Sequence, residues 1–381
     1  MSLVKFSYKE YEDEPRCWEI SDATFSNINL IAGKNSSGKS RLLSVISSLG
    51  RLLTGQYVPT EPCKFLALIQ LNEHQFSYEI AFKDGGVIDE RLDVDGVNKL
   101  FRKEDGLGKI WYEKQGSFLD FKLPINALAA VNRRDEIQHP FLIELHQWAS
   151  SIVMYAFGSD FGRSQLMDLS RADRILNGQT PQKINDTNDL VGIYTSSFIR
   201  FGDEFDKAVI ADMNKLGYSL THVGSDNLQK FLNFPIAALG LFTTESELGF
   251  QNCQVHMSQG MFRALALTIH LNLCAISKEK KLMLVDDIGE GLDFERSVAI
   301  IGLLISKAQE NNLQIIMTTN DRFVMNEVPL EYWSVLKRKV GIVKMFNIRN
   351  SEEQFKKFKY LGLNNFEFFA SDFFEPKVAN E

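Results

Sequence analysis

The stretch IAGKNSSGKS, residues 31–40, combines residue types that can bind phosphate. Gly33 and Gly38 allow a backbone turn that points successive N–H groups at an anion, and Lys39 can reach the outer phosphates of a nucleotide. The Ser40 hydroxyl is a ligand for Mg²⁺, and a helix that begins here adds its positive end. A polar turn could share this spacing by chance, but the apolar run before it and the helical pattern after it favour a phosphate loop, the name used here for residues 33–40.

A pair of adjacent acids lies in the stretch KLMLVDDIGEGLD, residues 281–293. Its four apolar residues, 282–285, predict a buried strand that ends in Asp286 and Asp287. A phosphate loop needs a carboxylate of this kind for its metal ion. We therefore predict that Asp286 holds Mg²⁺ together with Ser40 and that Asp287 faces the attacking water. Two solvated acids at the end of a strand are the alternative.

A second candidate anion site lies in HMSQGMFRALALT, residues 256–268. Ser258 and Gly260 come immediately before a helical pattern, so a hydroxyl and free N–H groups would meet at the start of a helix. The alternative is a simple serine cap of that helix.

Patterns of apolar residues predict the elements that must position these groups. Residues 27–33 predict a buried strand and residues 41–53 a helix. Alternation over 64–122 predicts a series of antiparallel hairpins. Residues 158–235 indicate a small, mainly helical lobe, and from residue 236 the strand–helix alternation predicts parallel βαβ units.

These elements indicate an α/β fold: a mostly parallel core sheet with the phosphate loop, an antiparallel β-lobe and a small helical lobe. The C-terminal segment is rich in phenylalanine, which predicts a helix packed on its own domain or, alternatively, a surface for a partner. We predict four segments: 1–157, the first part of the core with the β-lobe; 158–235, the helical lobe; 236–330, the second part of the core; and 331–381, strands and the phenylalanine-rich helix.

Taken in this order, the motifs resemble those of the soluble heads of ABC-type ATPases, above all SMC-like DNA-repair ATPases and OLD-like ATPases of bacterial phage-defence operons. GKNSSGKS resembles Walker A, MSQGM the signature motif LSGGQ, LMLVDD Walker B and GLD (291–293) the D-loop. The resemblance implies that ATP and Mg²⁺ bind, and that two heads pair head-to-tail with each ATP between Walker A of one chain and the signature of the other. It implies contacts to the nucleotide from Gly33, Lys34, Asn35, Ser36, Ser37, Gly38, Lys39, Ser40, Arg41, Ser258, Gln259 and Gly260, with Gln138 as the candidate for the Q-loop glutamine.

Three positions depart from the family pattern. Asp287 stands where the family usually has glutamate, Asn320 or Asp321 stands where it has the switch histidine, and Gln259 replaces a glycine of the signature. The first two departures concern water activation and sensing of the γ-phosphate. We therefore expect secure nucleotide binding and pairing but slow hydrolysis, with Asp287 and Asn320 as the catalytic residues and Glu290 as the alternative carboxylate.

Composition narrows the class of protein. Of the 381 residues, 44% are apolar and 24% charged, which is typical of a globular protein with a large core. The net charge of −7 argues against a surface that binds nucleic acid throughout, though a local basic face stays open. Four scattered cysteines, a charged N-terminus and the absence of a long apolar run lead us to expect a cytoplasmic protein with no membrane partner.

The segments outside the motifs suggest what the ATPase acts on. Between the motifs we find no long heptad repeat and no apolar run long enough to span a membrane. After the core we find too few residues for a TOPRIM nuclease domain. Our leading hypothesis is a nucleotide-gated sensor or scaffold in a bacterial anti-phage defence system, working as a homodimer or higher homo-oligomer with a separately encoded effector such as a nuclease. The alternatives are a DNA-repair or chromosome-handling ATPase that binds DNA itself and the cassette subunit of a membrane transporter.

Overall fold

A computed structural model describes residues 1–160, 162–178, 187–230, 237–311, 313–358 and 360–375. The strands of the N-terminal half are β1 (Ser2–Glu10), β2 (Trp18–Thr24), β3 (Ile28–Gly33), β4 (Cys63–Leu71), β5 (His74–Lys83), β6 (Gly86–Val94), β7 (Val97–Lys103), β8 (Leu107–Tyr112), β9 (Ser117–Lys122) and β10 (Ile152–Ala156). The later strands are β11 (Met167–Asp168), β12 (Leu220–Asn227), β13 (Ala238–Glu245), β14 (Gln251–Cys253), β15 (Lys281–Asp286), β16 (Leu313–Thr318), β17 (Trp333–Lys339) and β18 (Ile342–Asn347). The helices are α1 (Lys39–Leu53), α2 (Ala129–Asn132), α3 (Pro140–Ser150), α4 (Leu169–Leu176), α5 (Leu190–Phe201), α6 (Asp203–Lys215), α7 (Gln259–Ser277), α8 (Phe294–Glu310), α9 (Arg322–Glu327), α10 (Glu352–Phe358) and α11 (Asn365–Ala370).

Five parallel strands form the core of the larger sheet, in the order β10-β15-β16-β3-β17. All six residues of β3 and all six of β16 are buried, as expected for strands covered by helices on both faces. Since the strands are parallel, their carboxyl ends meet at one edge of the sheet. Gly33, Asp286 and Thr318 are the last residues of β3, β15 and β16, so the predicted nucleotide residues come together there.

The predicted hairpins are confirmed, and they extend the core rather than standing apart from it. Strands β4 to β9 form a continuous antiparallel meander next to β1 and β2, and we call these eight strands the β-lobe. The β17–β18 hairpin joins the core to the β-lobe, because β18 pairs with β2. Core and β-lobe are therefore one sheet of fourteen strands.

The region predicted as a mainly helical lobe has a sheet of its own. Helices α4, α5 and α6 are present, but strands β11 and β12 pair with β13, and β14 pairs with the other part of β13. The prediction of parallel units from residue 236 included the run ALGLFTT, residues 238–244, as their first strand. This assignment was wrong, because β13 is antiparallel to its neighbours in this second sheet. Pairing of β12 with β13 also crosses the predicted segment boundary at residue 235. We call β11–β14 with α4–α6 the second lobe.

Helices cover both faces of the core sheet. Helix α1 packs with α3 on one face, in a core shared with the β-lobe. Helices α7, α8 and α9 lie on the other face with the second lobe and the C-terminal helices. Phe355, Phe358, Phe368 and Phe374 are buried in that core, which agrees with the first alternative for the phenylalanine-rich segment. Among the described helices, α7 alone is long and apolar enough to cross a membrane, and 78% of its most apolar window is buried inside the protein.

Candidate functional site

The phosphate loop has the backbone geometry of an anion cradle. Gly38 is the N-cap residue of α1 and adopts a φ of +103°, which side chains other than hydrogen rarely allow. It offers no side chain to cap the helix, so the first N–H groups of α1 are available to a ligand. Gly33 is equally constrained, because a Cβ there would lie 2.4 Å from Ser37 Oγ.

Side chains in the loop divide into an exposed and a buried set. Lys34, Asn35 and Ser36 are exposed, and Ser36 adopts a φ of +64°. Ser37 is buried, and among the described residues its hydroxyl has no hydrogen-bond partner. A buried polar group without a partner is unfavourable unless a ligand satisfies it, so the loop fits a phosphate group.

Lys39 is poised at the centre of the loop. Its Nζ donates to the carbonyl of Gly33 at 2.8 Å and lies 3.4 Å from that of Lys34, so the loop itself holds the ammonium group. Burial lowers the pKa of Lys39, and the charges of Asp287 and Asp286 act in the opposite direction. The lysine therefore lies in the electrostatic field of both predicted acids.

Thr318 organises the acidic side of the site, a role that sequence reasoning missed. It is fully buried, and its hydroxyl donates to Asp286 Oδ1 at 2.6 Å while accepting from the backbone N–H of Asp287 at 2.9 Å. The threonine thus fixes the carboxylate at the end of β15 from the neighbouring strand β16. Its signal in the sequence was only its place at the end of the run LQIIMT.

Asp287 and Asn320, predicted separately as catalytic residues, are in contact. The Asn320 amide donates to Asp287 Oδ1 at 3.2 Å. Asp287 adopts a φ of +53°, an uncommon conformation for a residue other than glycine. Asp321, the alternative for the switch position, instead caps α9 by accepting from the N–H of Phe323. Asn320 is thus the one of the two that contacts Asp287, and its role at the switch position remains a prediction.

Burial raises the pKa of Asp287, and the nearby charges of Asp286 and Glu290 raise it further, against the opposing charge of Lys39. The charges of Asp286 and Glu290 thus lie close enough to Asp287 to disfavour its ionisation. A carboxylate pKa that is raised by burial and by like charges at the edge of a sheet is typical of a functional site rather than of a solvated strand end. Glu290 is exposed and packs closely on the backbone at Gly158, where a Cβ would lie 2.2 Å from Glu290 Oε2.

The predicted second anion site lies at the start of α7. Ser258 caps the helix, its hydroxyl accepting from the N–H of Met261 at 3.2 Å. Gln259 and Gly260 line a groove with Gly291 of the D-loop and Arg296 of α8. Among the described residues, the groove shares no lining residue with the phosphate loop. The serine cap is real, and the predicted anion-binding role remains a prediction.

Two further predicted residues lie at the periphery. Arg41 pairs with Glu10 and its guanidinium lies 4.8 Å from the ring centre of Trp18. Gln138 hydrogen-bonds through its backbone, donating to Asp135 and accepting from the N–H of Glu113 at the turn after β8. The contacts of Gln138 thus join it to the β-lobe rather than to the phosphate loop, and its role as the Q-loop glutamine remains a prediction.

The residues present fit Mg²⁺ beside a nucleotide. Asp286 and the exposed Ser40 supply a carboxylate and a hydroxyl, the oxygen ligands that Mg²⁺ takes together with substrate phosphates. When bound, Mg²⁺ would neutralise charge on the phosphate oxygens. Thr318 orients Asp286 for this role by occupying one of its oxygens.

Comparison with known proteins agrees with this geometry. Solved structures of similar fold include an Smc head bound to the C-winged helix domain of ScpA, with 13% identity, a TM-score of 0.55, and coverage of 91% of this chain and 97% of that one. A second is an Smc head with an extended coiled coil bound to the C-terminal domain of ScpA derived from Pyrococcus furiosus, with 12% identity, a TM-score of 0.50, and coverage of 94% and 99%. None of the curated proteins is similar enough in sequence to match.

The match to a family model is more specific than the likeness in fold. Residues 28–326, from β3 to α9, match the model described as "AAA domain, putative AbiEii toxin, Type IV TA system". That span contains the phosphate loop, Ser258, the two adjacent acids and Asn320. The chain therefore belongs to this AAA-domain family, and its fold is that of an SMC-like ABC-type ATPase head.

Proposed function

We propose that this protein binds ATP with Mg²⁺, hydrolyses it slowly, and uses the nucleotide to gate a sensor or scaffold in a bacterial anti-phage defence system. A separately encoded effector, such as a nuclease, would carry out the defensive chemistry. The observation that carries the ATPase assignment is the edge where the phosphate loop, the Thr318-fixed Asp286 and the Asn320-bound Asp287 meet.

Hydrolysis needs a carboxylate that accepts a proton from water while the oxygen of that water attacks the γ-phosphorus and the bond to ADP breaks. Asp287 is suited to this task by its raised pKa, which makes it a stronger base than an ordinary aspartate. It is also shorter than glutamate by one methylene, and one of its oxygens is engaged by Asn320. A misplacement on the order of 1 Å can reduce a rate about a hundredfold, so we expect turnover well below the ~10 s⁻¹ typical of enzymes.

Gating would come from pairing of two copies. The phosphate loop and the Ser258 groove each offer donors for an anion, and the described residues that line the groove include none of the phosphate loop. A triphosphate held by Lys39 of one copy could meet Ser258 and Gly260 of another. ATP would then hold a closed pair together, and slow hydrolysis would time its release.

Two comparisons support the wider role. The family description names a putative AbiEii toxin and a type IV TA system, so the proposed role in a system of several components is compatible with it. Both similar Smc heads were solved with a domain of ScpA bound, so heads of this fold can take a separate protein as a partner. By analogy, this chain would present its effector with a surface whose geometry depends on nucleotide.

The first experiment compares Lys39→Ala with the wild-type protein by calorimetric titration with ATP and Mg²⁺. We expect binding to be lost, since a buried ammonium at the centre of the loop cannot be replaced by water, while the melting temperature without nucleotide stays close to that of the wild type. Wild-type affinity in the variant would contradict the assignment of the phosphate loop.

The second experiment tests pairing by light scattering with and without ATP. Ser258→Arg should bind ATP as a single chain but fail to pair, because the bulk and charge fill the groove. Ser117→Arg, at an exposed serine of β9, is the control. If Ser258→Arg pairs like the wild type, the groove is not the second half of the site.

The partner can be identified by purifying the tagged protein from its native host and analysing what accompanies it by mass spectrometry. An effector protein supports the proposal. Recovery of DNA alone would favour the chromosome-handling alternative, and recovery of a permease would favour the transporter alternative.

A further inference from the structure

Arg263 is a buried cation that the proposed chemistry does not use. It lies on α7, five residues after Ser258, and is only 5% exposed. Its guanidinium donates three hydrogen bonds to backbone carbonyls: those of Ser159 at 3.2 Å, Gly158 at 2.6 Å and Glu290 at 2.8 Å. Among the described residues no carboxylate pairs with it, so its charge is met by carbonyl dipoles.

These carbonyls belong to two different loops at the edge of the core sheet. Gly158 and Ser159 follow β10, whereas Glu290 follows β15, and the two strands are parallel neighbours. One planar guanidinium with five N–H groups can hold both loops, which the single ammonium of lysine cannot do in the same geometry. Arg263 therefore ties the helix that Ser258 caps to the loop that carries Asp287.

Two glycines allow the start of α7 to lie close to the D-loop. A Cβ on Gly260 would lie 2.7 Å from the carbonyl oxygen of Gly291, so the start of α7 and the D-loop touch through their backbones. Gly291 adopts a φ of +79°, and a Cβ there would lie 2.5 Å from a terminal nitrogen of Arg263. A displacement of α7 on contact with an anion must therefore displace the D-loop as well.

Only a short turn separates the carbonyl that Arg263 contacts from Asp287, the proposed base. The N–H of Glu290 donates to the carbonyl of Asp287 at 3.2 Å, so the turn that Arg263 holds through Glu290 begins at Asp287. Asp287 is itself held by Thr318 and Asn320 on the other side. The position of its carboxylate thus depends on contacts from β16 and from α7 at once.

We propose that Arg263 is a positioning residue that couples the two ATP sites of a pair. Consider the first chain of a pair in the proposed function. Its Ser258 contacts the ATP that is held by the phosphate loop of the second chain. Its Asp287 acts on the ATP that is held by its own phosphate loop. Since Arg263 joins Ser258 to Asp287 within one chain, occupancy of one site orients the base in the other. This inference rests on the proposed pairing and predicts that hydrolysis is cooperative in ATP.

The test is the dependence of steady-state hydrolysis on ATP concentration for the wild type and Arg263→Lys. We expect a Hill coefficient above about 1.5 for the wild type and close to 1 for the variant, with turnover reduced about tenfold and the affinity of single chains for ATP unchanged. A structural defect alone would lower activity without removing the cooperativity. A wild-type Hill coefficient of 1, or a variant as cooperative as the wild type, overturns the proposal.

A matched control is Arg163→Lys. Arg163 donates to the carbonyls of Gln254, Val255 and Met257, which lead up to Ser258, and within the described part of the chain it makes no hydrogen bond or ion pair to the loop of Asp287. It should lose stability comparably yet remain cooperative. If Arg263→Lys fails to fold, Gly291→Ala gives the second test, because its methyl group displaces the guanidinium while keeping Arg263; it too should hydrolyse without cooperativity, and retained cooperativity would overturn the proposal.

Mixed pairs distinguish failure of this inference from failure of the proposed function. Lys39→Ala and Ser258→Arg chains are each inactive alone but should form one complete site when mixed, with a Hill coefficient of 1. An inactive mixture overturns the proposed pairing and the coupling with it. With an active mixture, the Ser258→Arg chain supplies Asp287 but has already lost the contact of Ser258 with its partner's ATP, so adding Arg263→Lys to that chain should change turnover by less than about twofold. A further tenfold loss there would mean that Arg263 only supports Asp287 locally, and it would overturn the coupling alone.

Discussion

Two acidic sites in this protein contain aspartates in opposite electrostatic situations. Asp212, on α6, is 2% exposed and accepts from three partners: Lys307 at 2.8 Å, Asn272 at 2.8 Å and Lys215 at 2.9 Å. Asp287 shares its surroundings with two other carboxylates, and its carboxylate accepts a hydrogen bond from the neutral amide of Asn320. The first site is closed and neutralised, whereas the second keeps unbalanced negative charge.

The directions of the pKa shifts express this difference. Burial opposes ionisation of Asp212, but hydrogen bonds from Lys307, Lys215 and Asn272 outweigh it and lower the pKa of this aspartate. Burial and like charges raise the pKa of Asp287. Asp212 joins the second lobe to α7 and α8 and is saturated by its partners, as a structural carboxylate should be. Asp287 experiences repulsion from like charges that a bound cation would relieve, which is typical of a functional carboxylate.

The largest effect in this comparison is expected when the carboxylate of Asp212 is removed. Asp212→Ala should lower the free energy of unfolding by about 3 kcal/mol, because it removes a buried carboxylate and leaves the largely buried Lys307 ammonium without its ion-pair partner. Lys215→Ala is the matched control, since its side chain is 66% exposed and its pair with Asp212 should contribute at most about 1 kcal/mol. Equilibrium denaturation in urea measures both. Equal effects of the two substitutions would mean that Asp212 is not a joint between lobe and core.

A second test asks whether the unbalanced site performs chemistry. Asp287→Asn should reduce single-turnover hydrolysis about a hundredfold, since an amide cannot take a proton from water. Asp287→Glu should be faster than the wild type if reach limits the rate, and Glu290→Gln should have little effect. If Asp287→Asn keeps its activity while Glu290→Gln is inactive, then Glu290 is the base and Asp287 has another role.

The smallest expected effect is a change in the free energy of unfolding. The sign of this change should differ between substitutions of Asp287 and of Asp212. Because the folded pKa of Asp287 is raised, its ionised form is disfavoured in the folded state, so Asp287→Asn should stabilise the protein slightly at pH 7, by a fraction of 1 kcal/mol. That gain should shrink as the pH falls towards the ordinary aspartate pKa. Asp212 is the reverse: its lowered pKa contributes stability above the ordinary pKa, which is lost as the pH falls through the folded value. Urea denaturation of both Asn variants at pH 7 and near pH 4 checks the signs; loss of stability in Asp287→Asn at pH 7 would contradict the comparison.

Local patterns in the sequence predicted the parts of the fold that are local. The strand β3, the phosphate loop and α1 follow one another in the chain, and the hairpins of the β-lobe are joined by short turns such as Asp84-Gly85. The order of the motifs and their resemblance to a known family predicted that Asp287 and Asn320 share a site, although 33 positions separate them. Spacing alone carries no information about such a contact.

What could not be predicted depends on non-local pairing. Strand β13 was misassigned because its apolar run suits a parallel core as well as an antiparallel second sheet, and only its partners β11, β12 and β14 decide between them. Thr318 and Arg263 were missed for a similar reason. Their roles arise from carbonyls and carboxylates of distant segments, although an arginine in the apolar run MFRALALT was a signal that a buried partner must exist.

The position of β3 in the sheet affects when this protein can mature on the ribosome. Its neighbours on either side are β16 and β17, and in the second of these pairs Gly33 lies beside Leu336, about 300 residues further along the chain. At about 5–20 residues per second, translation leaves this buried strand without either neighbour for roughly 15–60 s. Asp286 and Asn320 are also synthesised in the last third of the chain. A nascent chain therefore carries the phosphate loop long before the strands and acidic residues that complete the proposed site have been synthesised.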